Sequence, residues 1–372
     1  MSPTAVDTTL VVPVPTKGKV AAPLQVTGAL KSLESFELSP NIGREFPKAD
    51  LAELLRAPNS DELIRDLAVT ISERGVVIFR AQDNLTNDLQ KELIERLGRL
   101  TGRPAESGLH IHPVLNPARE LGGDDPEIST ISSVQRNKIY NRPGVDGLSS
   151  KRQTTAEWHS DIAFEPFPAD YSSLRLSQLP KTGGDTLFAS GYEIYDKISE
   201  PYQKFLESLS VTFEQPGFGQ AAARGGFELY DKPRGNAANV GTELKAIHPV
   251  VRTNPVTGWK SIFPVGSHVK HINGVTQEES TELLTRFLDI VYKNPELQVR
   301  LQWQNPNDIA SIAIWDNRSA FHSATFDYED QGDRFGIRVV GVGERPFFDP
   351  QSSSRQEALA VRNKQTNVGT VS

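Results

Sequence analysis

Apolar positions along this chain change their spacing near its middle. Leu63, Leu67 and Ile71 recur at intervals of four, the period of an amphipathic helix. Asn59-Ser60-Asp61 can cap the first turn of that helix, and Gly75 supplies a stop. A short apolar run from Val76 to Phe79 follows, and Leu89, Leu93 and Leu97 mark a second helix. Beyond about residue 125 the pattern becomes strand-like, over Ile128 to Val134, Leu174 to Leu179, Thr186 to Ala189, Ile309 to Trp315 and Phe335 to Val342. Helical spacing interrupts it at about 191–210 and 276–293, where Leu283, Leu284, Phe287, Leu288 and Val291 form a stripe. This mixture predicts a mostly β fold with flanking helices: a jelly-roll, or double-stranded β-helix, core of two facing antiparallel sheets with helical insertions.

No internal repeat or long linker divides the pattern, so one domain is expected over residues 31–349. Residues 1–30, rich in Pro, Thr, Val and Lys, and the polar stretch 350–372 are expected to be flexible tails. Residues 213–245, rich in Gly, Ala, Asn and Phe, read either as a lid over the mouth of the roll or as a surface excursion without function.

Composition narrows the chemistry. Apolar residues make up 37% and charged residues 23% of the chain, an ordinary globular balance. No apolar run approaches the ~18 residues of a membrane span. Met1-Ser2-Pro3-Thr4 does not begin a secretory leader, and Thr370-Val371-Ser372 is no retention or peroxisomal signal. The expected location is cytoplasmic, with no membrane partner. A net charge of −7 argues against a nucleic-acid surface. The chain has no cysteine, which excludes disulfides, iron-sulfur clusters, thiolate zinc sites and cysteine nucleophiles. Any metal must be held by nitrogen and oxygen.

Seven histidines occur: His110, His112, His159, His248, His268, His271 and His322. His159 and Asp161 lie two apart in Trp158-His159-Ser160-Asp161. In a strand that spacing points both side chains to one face, where a distant strand can add His322. Two imidazoles and one carboxylate leave three positions open on a metal, the facial triad of Fe(II) oxygenases. His110-Ile111-His112 and His268-Val269-Lys270-His271 are rival clusters, but neither has a carboxylate at fixed spacing. Arg334 and Arg338 lie four apart, so in a strand both face inward, with Gly336 between them leaving room for a ligand. A buried arginine suits a buried carboxylate. A surface ion-pair ladder is the alternative reading of the two arginines.

The order of motifs goes further. Trp158-His159-Ser160-Asp161 is followed by Gly183-Gly184-Asp185-Thr186, Trp315-Asp316-Asn317-Arg318, His322 and Arg334-Phe335-Gly336-Ile337-Arg338. Over roughly residues 75–348 this resembles the taurine dioxygenase family of Fe(II)/2-oxoglutarate-dependent oxygenases, and within it a fungal alkylsulfonate-dioxygenase-like branch. The resemblance implies an oxidoreductase with Fe(II) as cofactor, 2-oxoglutarate as co-substrate and O2 as oxidant. It also implies that His159, Asp161 and His322 ligate the iron. Thr186 and Arg334 would hold the far carboxylate of 2-oxoglutarate.

For the substrate, the resemblance points to His112 and Arg338 as anchors of a small organic anion. The tyrosine and asparagine that complete a taurine pocket appear here as Leu115 and Thr155, which argues against taurine itself. The best reading is an alkylsulfonate oxidised to an aldehyde and sulfite. The same chemistry on an amino acid or a specialised metabolite is the alternative. A metal-binding jelly roll without activity, or a zinc hydrolase, stands further off, since neither explains Thr186 with Arg334. The family also makes a homo-oligomer an expectation.

Overall fold

The computed structural model describes residues 22–114, 125–140, 158–304, 310–328 and 330–369. Its largest sheet has seven strands, in the order Phe36–Glu37, Arg44–Phe46, Val76–Phe79, Ser311–Asp316, Ala169–Gln178, Phe335–Val342 and Ser129–Ser132. All neighbours are antiparallel except Arg44–Phe46 beside Val76–Phe79. A three-stranded sheet of Gln298–Leu301, Thr186–Ser190 and Ala320–Ala324 packs against one face. A second three-stranded sheet joins Val269–Asn273, Ser210–Glu214 and Lys245–Pro249, and a two-stranded ribbon pairs Lys260–Ile262 with Val251–Thr253. The core is a mostly β jelly roll with helices outside it, as the alternation of spacing predicts.

Residue period explains the layers. Val76, Ile78, Ala313, Trp315, Leu174 and Leu176 point inward, with Phe188 and Leu301 of the facing sheet. Their neighbours Val77, Phe79, Ile312 and Ile314 point the other way and bury the faces of helices Leu51–Arg56, Ser60–Arg74 and Asn87–Arg99. A strand buried on both faces reads as a continuous apolar run, which is what Val76–Phe79 shows. The Ser60–Arg74 helix ends at Gly75, whose φ of 74° suits glycine. The helix Gln277–Lys293 starts on a capping box between Thr276 and Glu279 and packs Leu283, Phe287 and Val291 into the second core.

Several boundaries differ from the sequence expectation. The strand expected over 128–134 stops at Ser132, whose Oγ accepts the Gln135 N–H and starts the helix Ser133–Tyr140. The helix expected over 191–210 is two, Gly191–Asp196 and Glu200–Glu207, because Pro201 opens a new first turn. Parts of both expected tails are tied to the fold, while residues 1–21 and 370–372 lie outside the described residues. Residues 27–29 donate three backbone N–H groups to the buried Asp66 carboxylate. At the other end, the helix Arg355–Gly369 is started by reciprocal bonds between Ser354 and Glu357. It is tied down by Arg355 to Glu193 at 2.6 Å and Arg362 to Glu73 at 2.8 Å. No helix among the described residues is long and apolar enough to cross a membrane.

Candidate active site

The two distant histidines meet through their backbones. His159 and His322 form an isolated antiparallel bridge, with N–H to carbonyl distances of 3.0 and 2.9 Å. Their rings lie 4.2 Å apart between centroids. Asp161 is not on a strand with His159. Its backbone N–H is taken by the Asn317 side-chain oxygen at 3.0 Å, and the chain turns at Ile162, whose φ is +47°. The turn still brings the carboxylate to the ring edges: Asp161 Oδ1 is 4.0 Å from His159 Nε2 and 3.8 Å from His322 Nε2. Donor atoms of the three residues all fall within 4.8 Å of one another, a group able to hold a metal ion. Cis donors on an ion with bonds of about 2.1 Å sit about 3 Å apart, so side-chain shifts of about an ångström would close this set on a metal.

Asp161 is held on every side. Ser172 Oγ donates to its Oδ2 at 2.7 Å, and Asn317 Nδ2 donates to that hydroxyl at 2.8 Å. Trp315 Nε1 donates to Asn317 Oδ1 at 3.1 Å, which fixes the amide orientation. Close approach is built in behind: a Cβ on Gly266 would come within 1.7 Å of the Trp158 carbonyl oxygen. Burial pushes the Asp161 carboxyl up, but the neighbouring Arg338, His322 and His159, with the Ser172 hydrogen bond, outweigh it and hold it far below the usual range. Burial, then His159 beside it, keeps His322 neutral and its pKa well below normal.

His159 and Asp161 line a cavity of about 320 Å³ together with His112, Phe218, His268, Arg334 and Arg338. Arg334 is buried; its Nε donates to the Gly184 carbonyl at 3.0 Å and its NH2 lies 3.4 Å from Thr186 Oγ1. Trp303 Nε1 donates to the same hydroxyl at 3.0 Å. No carboxylate among the described residues pairs with Arg334, and burial brings its pKa down to about 10. Arg338 NH1 donates to Asp161 Oδ1 at 2.7 Å, while its buried Nε has no partner among the described residues. His112 accepts the Val114 N–H on Nδ1 at 3.1 Å, and burial followed by Arg338 lowers its pKa well below normal. All seven residues singled out in the sequence for metal, co-substrate and substrate line this cavity or contact its lining. Leu115 and Thr155 lie outside the described residues.

Other sequence readings change. Gly336 leaves no room for a ligand: a Cβ there would meet Leu176 Cδ2 at 2.4 Å and the Arg175 carbonyl at 2.5 Å on the adjacent strand. His110 faces Glu165 at 3.3 Å, in a buried pair that Arg234 completes. His248 Nε2 contacts the Ala163 and Glu165 carbonyls at 3.0 and 3.1 Å, so both histidines brace the turn after Asp161. His268 lies in the cavity, but His271 does not line it. The segment 213–245 contributes one wall, through Gln215 and Phe218 at the start of the helix Pro216–Gly225. Sequence reasoning missed Ser172, Asn317, Gln215 and Arg136, the last of which also lines the cavity. Only Asn317 had a signal, its place in the Trp315–Arg318 motif.

Comparison with known proteins accounts for this arrangement. The profile of the "Taurine catabolism dioxygenase TauD, TfdA family" matches residues 34–340. The chain belongs to that family. Among relatives of this TauD-family chain, the "Alpha-ketoglutarate-dependent dioxygenase oryG" of Aspergillus oryzae is 47% identical, over 94% of this chain and 99% of its own. A "Putative alpha-ketoglutarate-dependent sulfonate dioxygenase" of Schizosaccharomyces pombe is 31% identical, over 92% of this chain and 78% of its own. The crystal structure of a putative alpha-ketoglutarate-dependent taurine dioxygenase from Burkholderia xenovorans superposes with a TM-score of 0.62 at 28% identity, covering 86% of this chain and 93% of that one. This TauD-family protein is therefore an oxidoreductase, a dioxygenase that uses Fe(II), 2-oxoglutarate and O2.

Proposed function

We propose that His159, Asp161 and His322 hold the iron, that Arg334 and Thr186 hold the far carboxylate of 2-oxoglutarate, and that Arg338 with His112 receives the anionic group of a small substrate. The observation that carries this reading is the pair of arginines in one cavity beside the metal-binding group. Among the described residues, Arg334 is buried with no carboxylate partner and Arg338 keeps a buried Nε without an acceptor. A buried cation is strongly disfavoured unless an anion joins it, so Arg334 suits the co-substrate; Arg338, already paired with Asp161 through NH1, has its Nε left to meet a substrate oxygen. Iron and 2-oxoglutarate together with O2 supply the oxidation, yielding succinate, carbon dioxide and a hydroxylated product.

The protein's own residues orient and shield. Ser172 and Asn317 set the Asp161 carboxylate. Trp315 and Phe188 pack on the His322 ring, at 4.8 and 6.1 Å between centroids. Phe164 and Phe218 also line the cavity and shield it from water. An alkylsulfonate fits the anion anchor, and the sulfonate relative from S. pombe supports that class. Oxidation at the carbon bearing sulfur would release sulfite and an aldehyde. The aromatic wall favours a second reading, a bulkier amino acid or specialised metabolite carrying a carboxylate. Succinate formation by iron-loaded protein, screened over sulfonates, sulfate esters, carboxylates and amino acids with sulfite followed in parallel, distinguishes them. Succinate with sulfite supports the first reading, and succinate on a carboxylate alone the second. No stimulation by any anion refutes both.

A further inference from the structure

The cavity holds a hydrogen-bond donor that none of these roles uses. His268 is buried in its lining, edge-on to His159 at 5.4 Å and to Phe164 at 5.2 Å between centroids. Its tautomer follows from its neighbours. The Gln215 side-chain oxygen accepts the Gly217 N–H at 3.1 Å, at the start of the helix Pro216–Gly225. The Gln215 amide nitrogen, which can only donate, therefore faces His268 Nδ1 at 2.9 Å. Turning the amide over would set two N–H groups against each other at Gly217. Nδ1 must accept, so the ring proton sits on Nε2. That N–H has no acceptor among the described residues.

We infer that His268 is a specificity-determining residue that donates its Nε2–H to an oxygen of the substrate, selecting anions with a hydroxyl, carbonyl or amide oxygen next to the carbon that is oxidised. The inference rests on the assignment of this cavity as the substrate site. Proximity to His159 places the bound oxygen at the reacting end of the substrate rather than on a remote tail. A buried donor left unpaired by a plain alkyl chain penalises that chain.

The test compares the iron-loaded wild type with His268→Phe on matched probes: 2-hydroxyethanesulfonate against ethanesulfonate, and 3-hydroxypropanoate against propanoate. The wild type is expected to favour the hydroxyl-bearing member by at least roughly tenfold in kcat/KM. The variant is expected to lose that preference with its 2-oxoglutarate KM unchanged. No preference in the wild type, a preference kept in the variant, or an effect confined to 2-oxoglutarate overturns the inference. If no anion stimulates succinate formation, the proposed function fails separately. In that case, or if the variant does not fold, nitrogen-15 spectra of the imidazoles in the Zn(II)-loaded wild type decide. An Nε2–H tautomer at His268 that responds to 2-hydroxyethanesulfonate and not to ethanesulfonate supports the inference; an Nδ1–H tautomer, or the same response to both, overturns it.

Discussion

Replacing Arg334 with leucine separates the two consequences of burying its charge. Burial brings its pKa from 12.5 down to about 10, a shift equivalent to about 3 kcal/mol against the charged form. Below pH 10 the side chain is protonated both folded and unfolded, so this deficit is constant across the working range and adds no pH dependence there. Leucine removes the deficit and gives up the hydrogen bonds to Gly184 and Thr186, so stability without 2-oxoglutarate should change by no more than about 1–2 kcal/mol. Co-substrate binding should respond very differently. A charge-assisted pair with the far carboxylate contributes about 3 kcal/mol, a factor of roughly 100 in affinity. The assay is the 2-oxoglutarate KM for succinate formation, with melting of Zn(II)-loaded protein at increasing 2-oxoglutarate. Wild-type Tm should climb with co-substrate, and the variant's should not at the same concentrations. An unchanged 2-oxoglutarate requirement in folded Arg334→Leu refutes the assignment. Collapse of the variant without co-substrate refutes the account of Arg334 as an uncompensated charge.

His159→Ala and Asp161→Ala should each abolish iron-dependent turnover while the protein stays folded, because the two side chains meet in a cavity rather than in a core; retained turnover at saturating Fe(II) would remove either from the ligand set. Ser172→Ala should weaken metal binding by roughly 10–100-fold, measured by metal titration, since its hydroxyl alone donates to Asp161 Oδ2 among the described residues; unchanged affinity would show that the Asp161 carboxylate needs no such orientation. Asp196, where the helix Arg355–Gly369 begins, has its pKa raised to about 6, chiefly by burial. A raised carboxyl pKa means the folded state binds the proton more tightly, so stability falls as pH rises from about 4 to 6 and stays lower above. Asp196→Asn should therefore raise Tm at pH 7.5 by an amount equivalent to about 1 kcal/mol after discounting for partial exposure, and leave it unchanged at pH 4. A loss of stability at pH 7.5 would contradict that sign.

Much of the site is legible in local chemistry alone. His159, Asp161, His322, Arg334 and Arg338 each belong to a short motif whose residue types suit the task proposed for them, Thr186 is singled out only by the family resemblance, and the jelly roll follows from the switch in apolar period. The docked C-terminal helix is legible too, since Ser354 and Glu357 have capping-box spacing, but its polar composition masks the signal. Ser172 sits in an ordinary run of strand residues, and nothing local distinguishes it.

The sequence by itself determined which atoms were available: nitrogen and oxygen ligands, two arginines four apart, and strands able to stack as two sheets. Only the tertiary structure decided how they meet. The bridge between His159 and His322 joins residues far apart in the chain, and the Asp161 carboxylate reaches them from a turn rather than along a strand. Asn317 and Gln215 acquire roles because an amide's two ends must satisfy different neighbours, which only folding brings together. Periodicity is a property of adjacent residues, whereas hydrogen-bond direction, burial and the missing partner of a buried charge are properties of contacts across the whole chain.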